Sequence, residues 1–242
     1  METTIQVNFN RPLPLFALHS VVMLPHSVQQ LHIFEPHYRQ MIDHVLDRNG
    51  QIAVARLQSD ERAAPKNGLA DKEDLYPAVC VAQIMQHHRF EDGRYLLLAL
   101  GICRAGIVSV DLPDVDDPDY PERMYPLATC GLLEDVDASQ DDLSAVRGRL
   151  EDLLKRPSLN TLRGLDRVAE LAARDEVPTA ALIEVIGSTL IDDPDKRYEL
   201  LSQPDVRQRA GMIQAELRSI DRTIRSAQWQ MSGEQPKGLS WN

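Results

Sequence analysis

Short apolar runs separated by turn residues fill the first 137 positions of the chain. The runs are rich in Val, Ile and Leu and are bounded by Pro, Gly, Asn or Asp, which is the pattern of β-strands. The predicted strands are LPLF (13–16), SVVML (20–24), QQLHIF (29–34), QIAVARL (51–57), AVCVAQIM (78–85), RYLLLALGI (94–102), AGIVSVDL (105–112) and YPLATCGLL (125–133). Several short strands at this spacing favour a small sandwich or barrel.

The clearest turn signal within this region is FEDGRY at 90–95. Asp92 and Gly93 stand between two apolar runs, and glycine tolerates the positive φ that a type I′ turn requires. The segment therefore predicts a tight hairpin between two antiparallel strands.

One amphipathic helix interrupts the predicted strands. Pro36 suits the first helical turn, Glu35 places a negative charge at the positive end of the helix dipole, and Asn49-Gly50 ends the helix. The apolar positions recur with helical spacing: Tyr38, Met41, Ile42, Val45 and Leu46.

The apolar period becomes helical near residue 138. Helices are predicted from Ser139, from about Leu159 to Ala173, from Pro178, from Asp193-Pro194, and from about Pro204 to Gln228. Their short connections indicate an antiparallel bundle. The predicted fold class is α+β, with a β domain over 10–137, an all-α bundle over 138–228 and a loose C-terminal tail over 229–242.

Composition and charge narrow the classes of function. The chain has 242 residues and a net charge of -11, which disfavours non-specific binding to nucleic acid, although a local basic patch stays open. No stretch approaches the ~20 apolar residues of a membrane span, and the N-terminus lacks the apolar run of a secretory signal. Three widely separated cysteines suggest reduced thiols. We therefore expect a cytoplasmic protein that does not enter membranes.

Motifs for catalysis, nucleotides and metals are missing from the sequence. Gly101 and Gly106 have the gap of a phosphate-binding loop, but Ile107-Val108 replaces its Lys and Ser/Thr. There is no GxSxG, and the aspartate-rich loop 111–122 lacks the glycine of a calcium-binding EF-hand. The histidines between 19 and 44 lack metal-ligand spacing, and we expect His37 and His44 to face water. No enzyme, cofactor or metal site is predicted.

Three segments, taken in order, carry a resemblance to a known family. PLPLFALHSVVMLPHSVQQLHIFEPHYRQMIDHVL (12–46) contains LPLF-x-L, V-x-x-P and LHIFEPHYR. EDGRYLLLALGICRAGIV (91–108) contains DGR, an apolar strand and G-x-x-R, and STLIDDPDKRYELLSQPDVRQRAGMIQAEL (188–217) contains D-V-x-x-R before a long helix. Over about 12–225 the chain resembles the N-terminal substrate-recognition domain of Lon proteases.

The chain departs from the family pattern at several positions. The glycine after V-x-x-P is His26, the arginine of EPRYR is His37, a glycine pair is Val79-Cys80, and the phenylalanine after G-x-x-R is Ala105. The ATPase and Ser-Lys protease domains of full Lon proteases are missing from the sequence. The resemblance implies a stand-alone Lon substrate-binding-like protein with a PUA-like pseudo-barrel, one inserted helix and a C-terminal helical bundle.

The resemblance and strand alternation together assign candidate residues. In LHIFEPHYR, Leu31 and Ile33 share one strand face while His32 and Phe34 share the other. The structural family motif comprises Leu31, His32, Ile33, Phe34, Glu35, Pro36, Tyr38, Arg39, Asp92, Gly93, Arg94, Gly101 and Arg104. The candidate polypeptide-binding surface comprises His32, Phe34, Met85 and His87.

Three classes of function follow from these observations. The leading hypothesis is a non-catalytic module that binds unfolded polypeptide segments or a partner protein, as a proteolysis adaptor would. The alternative is an RNA- or modified-nucleotide-binding PUA-like protein, because Arg89, Arg94 and Arg104 lie near the hairpin, although the acidic charge makes nucleic acid the less favoured partner. An enzyme whose site assembles from dispersed residues stays open as a third class.

Overall fold

The computed structural model describes residues 5–58, 69–114, 122–136 and 140–231. The chain forms two compact units. The first comprises Met1–Val136 with Asp192–Pro204, and the second comprises Asp137–Ile191 with Asp205–Asn242. Within the described ranges, no helix combines the length and apolar character needed to cross a bilayer.

Six strands and six α-helices follow one another along the described chain. The strands are β1 (Leu13–Leu18), β2 (Val28–Ile33), β3 (Gln51–Arg56), β4 (Ala78–Arg89), β5 (Tyr95–Asp111) and β6 (Leu127–Leu132). The helices are α1 (Pro36–Leu46), α2 (Gln140–Leu154), α3 (Leu165–Ala172), α4 (Thr179–Leu190), α5 (Pro194–Ser202) and α6 (Val206–Met231). The predicted α+β class, with strands and one helix before the helical part, is confirmed.

Five of the strands close into a ring. The sheet order is β2-β5-β4-β3-β1-β6, and β6 also pairs with β5, so β5, β4, β3, β1 and β6 form a small closed barrel. β1 and β3 are parallel, and the other pairs are antiparallel. The apolar core inside includes Leu15, Ala53, Val79, Val81 and Ala128, each fully buried. β2 lies outside the ring and, among the described residues, pairs with β5 alone.

The ring depends on the length of β5, which has 17 residues. Its first half pairs with β2 and β4, and its second half pairs with β4 and then β6. The prediction of two separate strands, 94–102 and 105–112, was therefore wrong. Cys103 and Arg104, which fill the gap, pair with Val81 and Cys80 of β4 and keep the strand continuous.

The prediction of a strand over 20–24 was also wrong, because this segment leads into a tight turn. Val22, Met23 and Leu24 are buried but belong to no strand. The Ser27 N–H donates to the Leu24 carbonyl at 3.2 Å. His26 has a φ of 59°, and a proline followed by a residue with positive φ is typical of a type II turn. Glycine is the residue that this position favours.

The hairpin at 90–95 is present, but its turn differs from the predicted type I′. The Gly93 N–H donates to the Phe90 carbonyl at 3.0 Å, and the Phe90 N–H donates to the Arg94 carbonyl at 2.9 Å. Gly93 has a φ of 80°, whereas a type I′ turn would also need a positive φ at Asp92, which Asp92 does not have. The geometry is that of a three-residue loop whose glycine occupies the left-handed position.

Helix α5 was predicted as part of the bundle, but the structure groups it with the strands. The Ala78 N–H donates to the Tyr198 hydroxyl at 3.0 Å. The buried Arg56 guanidinium pairs with Asp195 at 2.7 Å, and Arg104 donates to the Leu201 carbonyl at 3.1 Å. These bonds fix both ends of α5 to the first unit, so the unit boundary is not the single break near residue 138 that the sequence predicts.

The second unit comprises α2, α3, α4 and α6. The predicted helix over 159–173 is two elements, a 3-10 turn at Pro157–Thr161 and α3, because Gly164 between them has a φ of 79°. A buried ion pair joins Arg209 to Glu184 at 2.9 Å. Helix α6 continues to Met231, three residues beyond the predicted end.

Several predicted segments lie outside the described residues. These are the rest of the predicted tail, 232–242, the central part of the aspartate-rich loop, 115–121, and the predicted helix start at Ser139.

We predict that His26→Gly stabilises the protein by about 0.5–1 kcal/mol. Glycine removes the cost of holding an L side chain at positive φ, and the greater freedom of the unfolded chain offsets part of the gain. Urea unfolding followed by circular dichroism would measure the change. His88→Gly, at an exposed strand position without positive φ, is the control and should lower stability. Equal destabilisation by both variants would contradict this interpretation of the turn.

Candidate functional site

The motif LHIFEPHYR forms the corner between β2 and α1. Leu31 and Ile33 are buried, while His32 and Phe34 are exposed, as strand alternation predicts. Glu35 occupies the N-cap position with an extended backbone, but its side chain makes no capping hydrogen bond. The Glu35 carboxylate instead lies 3.5 Å from the His37 ring nitrogen. Its effect on the helix start is therefore electrostatic.

Tyr38 ties this corner to the barrel. Its hydroxyl donates to the Ala17 carbonyl at 3.1 Å and accepts from the Ala17 N–H at 3.2 Å. Ala17 lies on β1, and the pairing of β1 with β6 covers only Leu13 and Pro14. The Tyr38 hydroxyl therefore takes the place of a strand partner for the backbone of Ala17. Burial raises the pKa of Tyr38 to about 12, which keeps the hydroxyl protonated and able to donate.

The prediction that His37 and His44 face water was wrong for both residues. The His37 side chain is 15% exposed and its ring lies against Tyr38, with centroids 4.1 Å apart. Burial lowers the pKa of His37, and the Glu35 carboxylate partly opposes that shift. His44 is half-buried, and its Nδ1 lies 3.0 Å from the hydroxyl of buried Tyr125. Both rings are packing contacts of α1.

The remaining hairpin residues of the motif are held by hydrogen bonds. Arg39 donates from α1 to the Asp92 carbonyl at 3.0 Å. The Asp92 carboxylate accepts from the Arg94 N–H at 3.1 Å and from Arg94 Nε at 2.7 Å, and these bonds lower the pKa of Asp92. The β4–β5 hairpin is thus fixed to the helix that follows β2.

Gly101 and Arg104 have distinct structural roles within β5. A Cβ at Gly101 would lie 2.2 Å from the Leu24 carbonyl oxygen, so no other residue fits there without displacing the turn before β2. Arg104 is 4% exposed and lies 3.4 Å from the Asp135 carboxylate besides its bond to α5. The G-x-x-R motif therefore joins the turn, the long strand and α5.

The outward side of the three strands β2, β5 and β4 has a different character. Pairing places His32 beside Leu96 and His88, and Gln30 beside Leu98 and Gln86. Leu96, Leu98 and Leu100 are half-buried, although they point away from the buried Tyr95, Leu97 and Ala99. We call this surface the outer face; it comprises Val28, Gln30, His32, Gln86, His88, Leu96, Leu98 and Leu100.

The outer face only partly matches the surface predicted from the sequence. His32 belongs to it, and Phe34, just after β2, is 63% exposed. His87 pairs with Leu97, which places it on the opposite side, near Tyr95 at 6.4 Å between ring centroids. Met85 is 51% exposed at an irregularity of the β4–β5 register. His32 and His87 therefore cannot contact one ligand on one face.

A signal for the missed residues was present in the sequence. Within RYLLLALGI, every position from Tyr95 to Leu100 is apolar, whereas a strand with one solvated face alternates. The run therefore indicates apolar side chains on both sides of β5. Exposed Val28, at 55%, extends that apolar character onto β2, because it pairs with Leu100.

β2 also has an open edge. In the part of the chain that the structure describes, β2 pairs with β5 alone. The Gly101 N–H donates to the Ser27 carbonyl at 2.9 Å. Since hydrogen-bonded pairs alternate along an antiparallel ladder, the backbone groups of Val28, Gln30 and His32 point away from β5. Such groups can pair with an added strand.

The arginines near the hairpin are matched by carboxylates. Arg94 pairs with Asp92 at 2.7 Å, and Arg104 with Asp135 at 3.4 Å. Arg89 lies 3.5 Å from Asp43. The cluster that suggested RNA binding is therefore neutralised locally.

The cysteines and acidic groups show no reactive arrangement among the described residues. Burial raises the pKa of Cys130 to about 11 and also raises that of Cys103, with Arg104 opposing the latter shift. Both thiols are thus held in the poorly nucleophilic protonated form. Across the described ranges, no three His, Cys, Asp or Glu side chains converge as a metal site requires.

Comparison with known proteins gives the family. The sequence model of the ATP-dependent protease La (LON) substrate-binding domain matches residues 12–219. The chain belongs to this family. The predicted resemblance is confirmed, and the family's description makes the chain a substrate-recognition module.

Solved Lon N-terminal domains share the fold. The N-terminal domain of Mycobacterium avium complex Lon protease superposes with a TM-score of 0.60 at 17% identity, covering 84% of this chain and 96% of that one. A Lon N-terminal domain protein from Xanthomonas campestris gives a TM-score of 0.55 at 18% identity, covering 85% and 98%. No curated protein matches the sequence.

We predict that Tyr38→Phe lowers the free energy of unfolding by about 1–3 kcal/mol, because it leaves both backbone groups of Ala17 buried without their partner. Urea denaturation would measure the loss. Tyr76→Phe is the matched control: the Tyr76 hydroxyl has no hydrogen bond within the described chain, so the change should be below about 0.5 kcal/mol. An unchanged stability in Tyr38→Phe would show that the hydroxyl does not hold the corner.

Proposed function

We propose that this chain is a non-catalytic module that binds extended polypeptide segments at the outer face and along the free edge of β2. The observation that carries the proposal is the combination of half-buried Leu96, Leu98 and Leu100 with an adjacent edge of β2 that no strand of the described chain covers. Strand addition to such an edge supplies backbone hydrogen bonds that do not depend on sequence. Unfolded segments of varied sequence are ligands that this chemistry suits.

The side chains around the edge would supply selectivity for apolar residues. An added strand places every second side chain over the same face of the sheet, where the leucines of β5 lie. Val28 and Phe34, exposed at 55% and 63%, flank this row. Burying such side chains against a ligand contributes about 25 cal/mol for each Å² of apolar surface removed from water.

Family membership supports this proposal, because the family is described as a substrate-binding domain. Burial raises the pKa of both Cys103 and Cys130, which argues against thiol catalysis. The paired arginines of the hairpin argue against RNA at this surface. Polypeptide binding gives a role to the exposed apolar side chains Val28 and Phe34. Neither RNA binding nor an enzymatic function would use them.

The test compares a site variant with a matched control. The probe is a fluorescein-labelled 12-residue peptide that alternates Leu and Ser, followed by fluorescence anisotropy. We expect Val28→Thr/Phe34→Ser to weaken binding about tenfold, which corresponds to about 1.4 kcal/mol of lost apolar contact. Val108→Thr/Leu132→Ser changes two side chains exposed at 59% and 48% elsewhere on the barrel. This control should bind like the unmodified protein.

The outcomes separate the possibilities. Equal affinity of the site variant and the unmodified protein, with both shown to be folded by circular dichroism, would contradict the proposed location. Absence of binding to the unmodified protein would contradict polypeptide recognition by strand addition. Saturable binding of a 12-nucleotide single-stranded RNA at the same site would favour the nucleic-acid alternative instead.

A further inference from the structure

β2 lacks the residues that commonly stop an edge strand from pairing with another molecule. Soluble proteins protect such edges with charged side chains or proline. The six residues of β2 are VQQLHI, with neither a charged residue nor a proline among them, although 26% of the whole chain is charged. In the described part of the chain, β2 pairs with β5 alone. The sequence of the edge therefore permits a strand of a second molecule to pair with it.

The side chains beside this edge are accessible to a second molecule. Val28 and Phe34 are exposed at 55% and 63%, and Gln30 and His32 are also exposed. Val28, Gln30 and His32 alternate with the residues of β2 that face the other side, so the three share the outer face. A strand laid along β2 would meet apolar and polar side chains but no carboxylate or ammonium group.

The backbone of β2 is complementary to a second copy of itself. Its outward-pointing N–H and C=O groups belong to Val28, Gln30 and His32. When two copies run antiparallel about a two-fold axis at Gln30, each Gln30 lies opposite the partner's Gln30, and each Val28 lies opposite the partner's His32. All three pairs are then hydrogen-bonded, which gives about six hydrogen bonds. A shift of the register leaves one of the three residues without a partner.

The side chains also match across this two-fold axis. Neighbouring strands bring side chains together directly opposite each other and, for large aromatic groups, along the diagonal. Phe34 of one copy becomes a diagonal neighbour of the partner's Val28, and the axis repeats this contact on the other side of the two glutamines. The exposed apolar groups at both ends of β2 thus gain partners, and no like charges on the two strands face each other.

We propose that two copies of this chain associate through antiparallel pairing of their β2 edges, and that this association covers the edge at which polypeptides bind. The pairing itself follows from the sequence and backbone of β2. Its regulatory consequence rests on the polypeptide binding proposed above. Because the dimer and a bound polypeptide use the same backbone groups of β2, each excludes the other.

The size of the contact makes the association weak and reversible. Each copy contributes one strand of six residues, whereas each side of a stable interface usually contributes about 20–30 residues. Each copy also has a net charge of -11, although salt screens repulsion beyond about 8 Å at physiological ionic strength. We therefore expect a dimer that forms at high protein concentration and that an extended polypeptide displaces.

The experiment uses the full chain and places charges at the predicted axis. Gln30→Lys brings two lysines opposite each other in the dimer, and Gln30→Glu brings two glutamates together. The controls Ser109→Lys and Ser109→Glu make the same changes of charge at an exposed position, in the half of β5 that pairs with β6. Sedimentation equilibrium over a range of protein concentrations gives the dimer dissociation constant, and circular dichroism checks that every variant is folded.

We expect each Gln30 variant to dimerise about fivefold more weakly than the unmodified chain, because like charges directly opposite each other destabilise strand pairing. The Ser109 variants should dimerise like the unmodified chain. An equal mixture of Gln30→Lys and Gln30→Glu should recover association, because opposite charges then meet at the axis. This recovery is specific to a dimer in which Gln30 faces its own copy.

A second measurement tests whether the dimer covers the polypeptide edge. The unmodified chain is brought to a concentration at which the dimer predominates, and the unlabelled 12-residue peptide that alternates Leu and Ser is added in excess. The average mass should fall towards that of a peptide-bound monomer. A dimer of unchanged mass that carries bound peptide would overturn the regulatory part of the proposal.

Three results would overturn the pairing of β2 edges. One is a monomer at every protein concentration up to about 1 mM. Another is equal weakening of the dimer by the Gln30 and Ser109 variants, which would show a response to net charge alone. The third is a mixture of Gln30→Lys and Gln30→Glu that associates no better than either variant.

The two proposals can fail separately. A dimer that responds to charge at Gln30 as expected, in a protein that binds no peptide, would support the pairing of β2 edges and contradict polypeptide recognition. A protein that binds the peptide and stays monomeric at all concentrations would support polypeptide recognition and contradict the pairing.

Discussion

The first unit depends on one constraint: a single 17-residue strand must pair with three partners. β5 meets β2 and β4 in its first half and β4 and then β6 in its second half, and this closes the barrel. The strand changes partners at Gly101, where the backbone of the preceding turn comes within contact distance. Register irregularities against β4 and β6 let the strand bend. The position of β2 follows from this geometry.

The same constraint creates the candidate binding surface. Because β4 and β6 take the places that close the ring, β2 is left with one neighbouring strand in the described part of the chain. Its corner with α1 is fixed by Tyr38 and by the bond from Arg39 to the hairpin. The motif residues thus hold the edge of β2 in place beside the exposed apolar side chains of Val28 and Phe34. Rigid support of an exposed edge limits the ordering cost of binding.

Much of the fold could be predicted from local patterns, and the failures share a cause. Strand alternation and helix capping placed β2 and α1 correctly because those signals involve neighbouring residues. Positions of His37, His44 and α5 depend on distant partners, such as Tyr125 and Ala78, which no local spacing shows. The sequence assigned His87 instead of His88 to the face of the sheet that carries His32. The register irregularity near Met85 changes which histidine of β4 lies beside His32, and strand alternation alone does not reveal it.

The most direct test of the central claim is amide hydrogen exchange along β2, with and without a saturating extended apolar peptide. The backbone N–H groups of Val28, Gln30 and His32 point away from β5, so a bound strand should slow their exchange. The N–H groups of Gln29 and Leu31 already pair with β5 and serve as internal references. We expect selective slowing at Val28, Gln30 and His32. Peptide binding that leaves exchange at these three amides unchanged would contradict it.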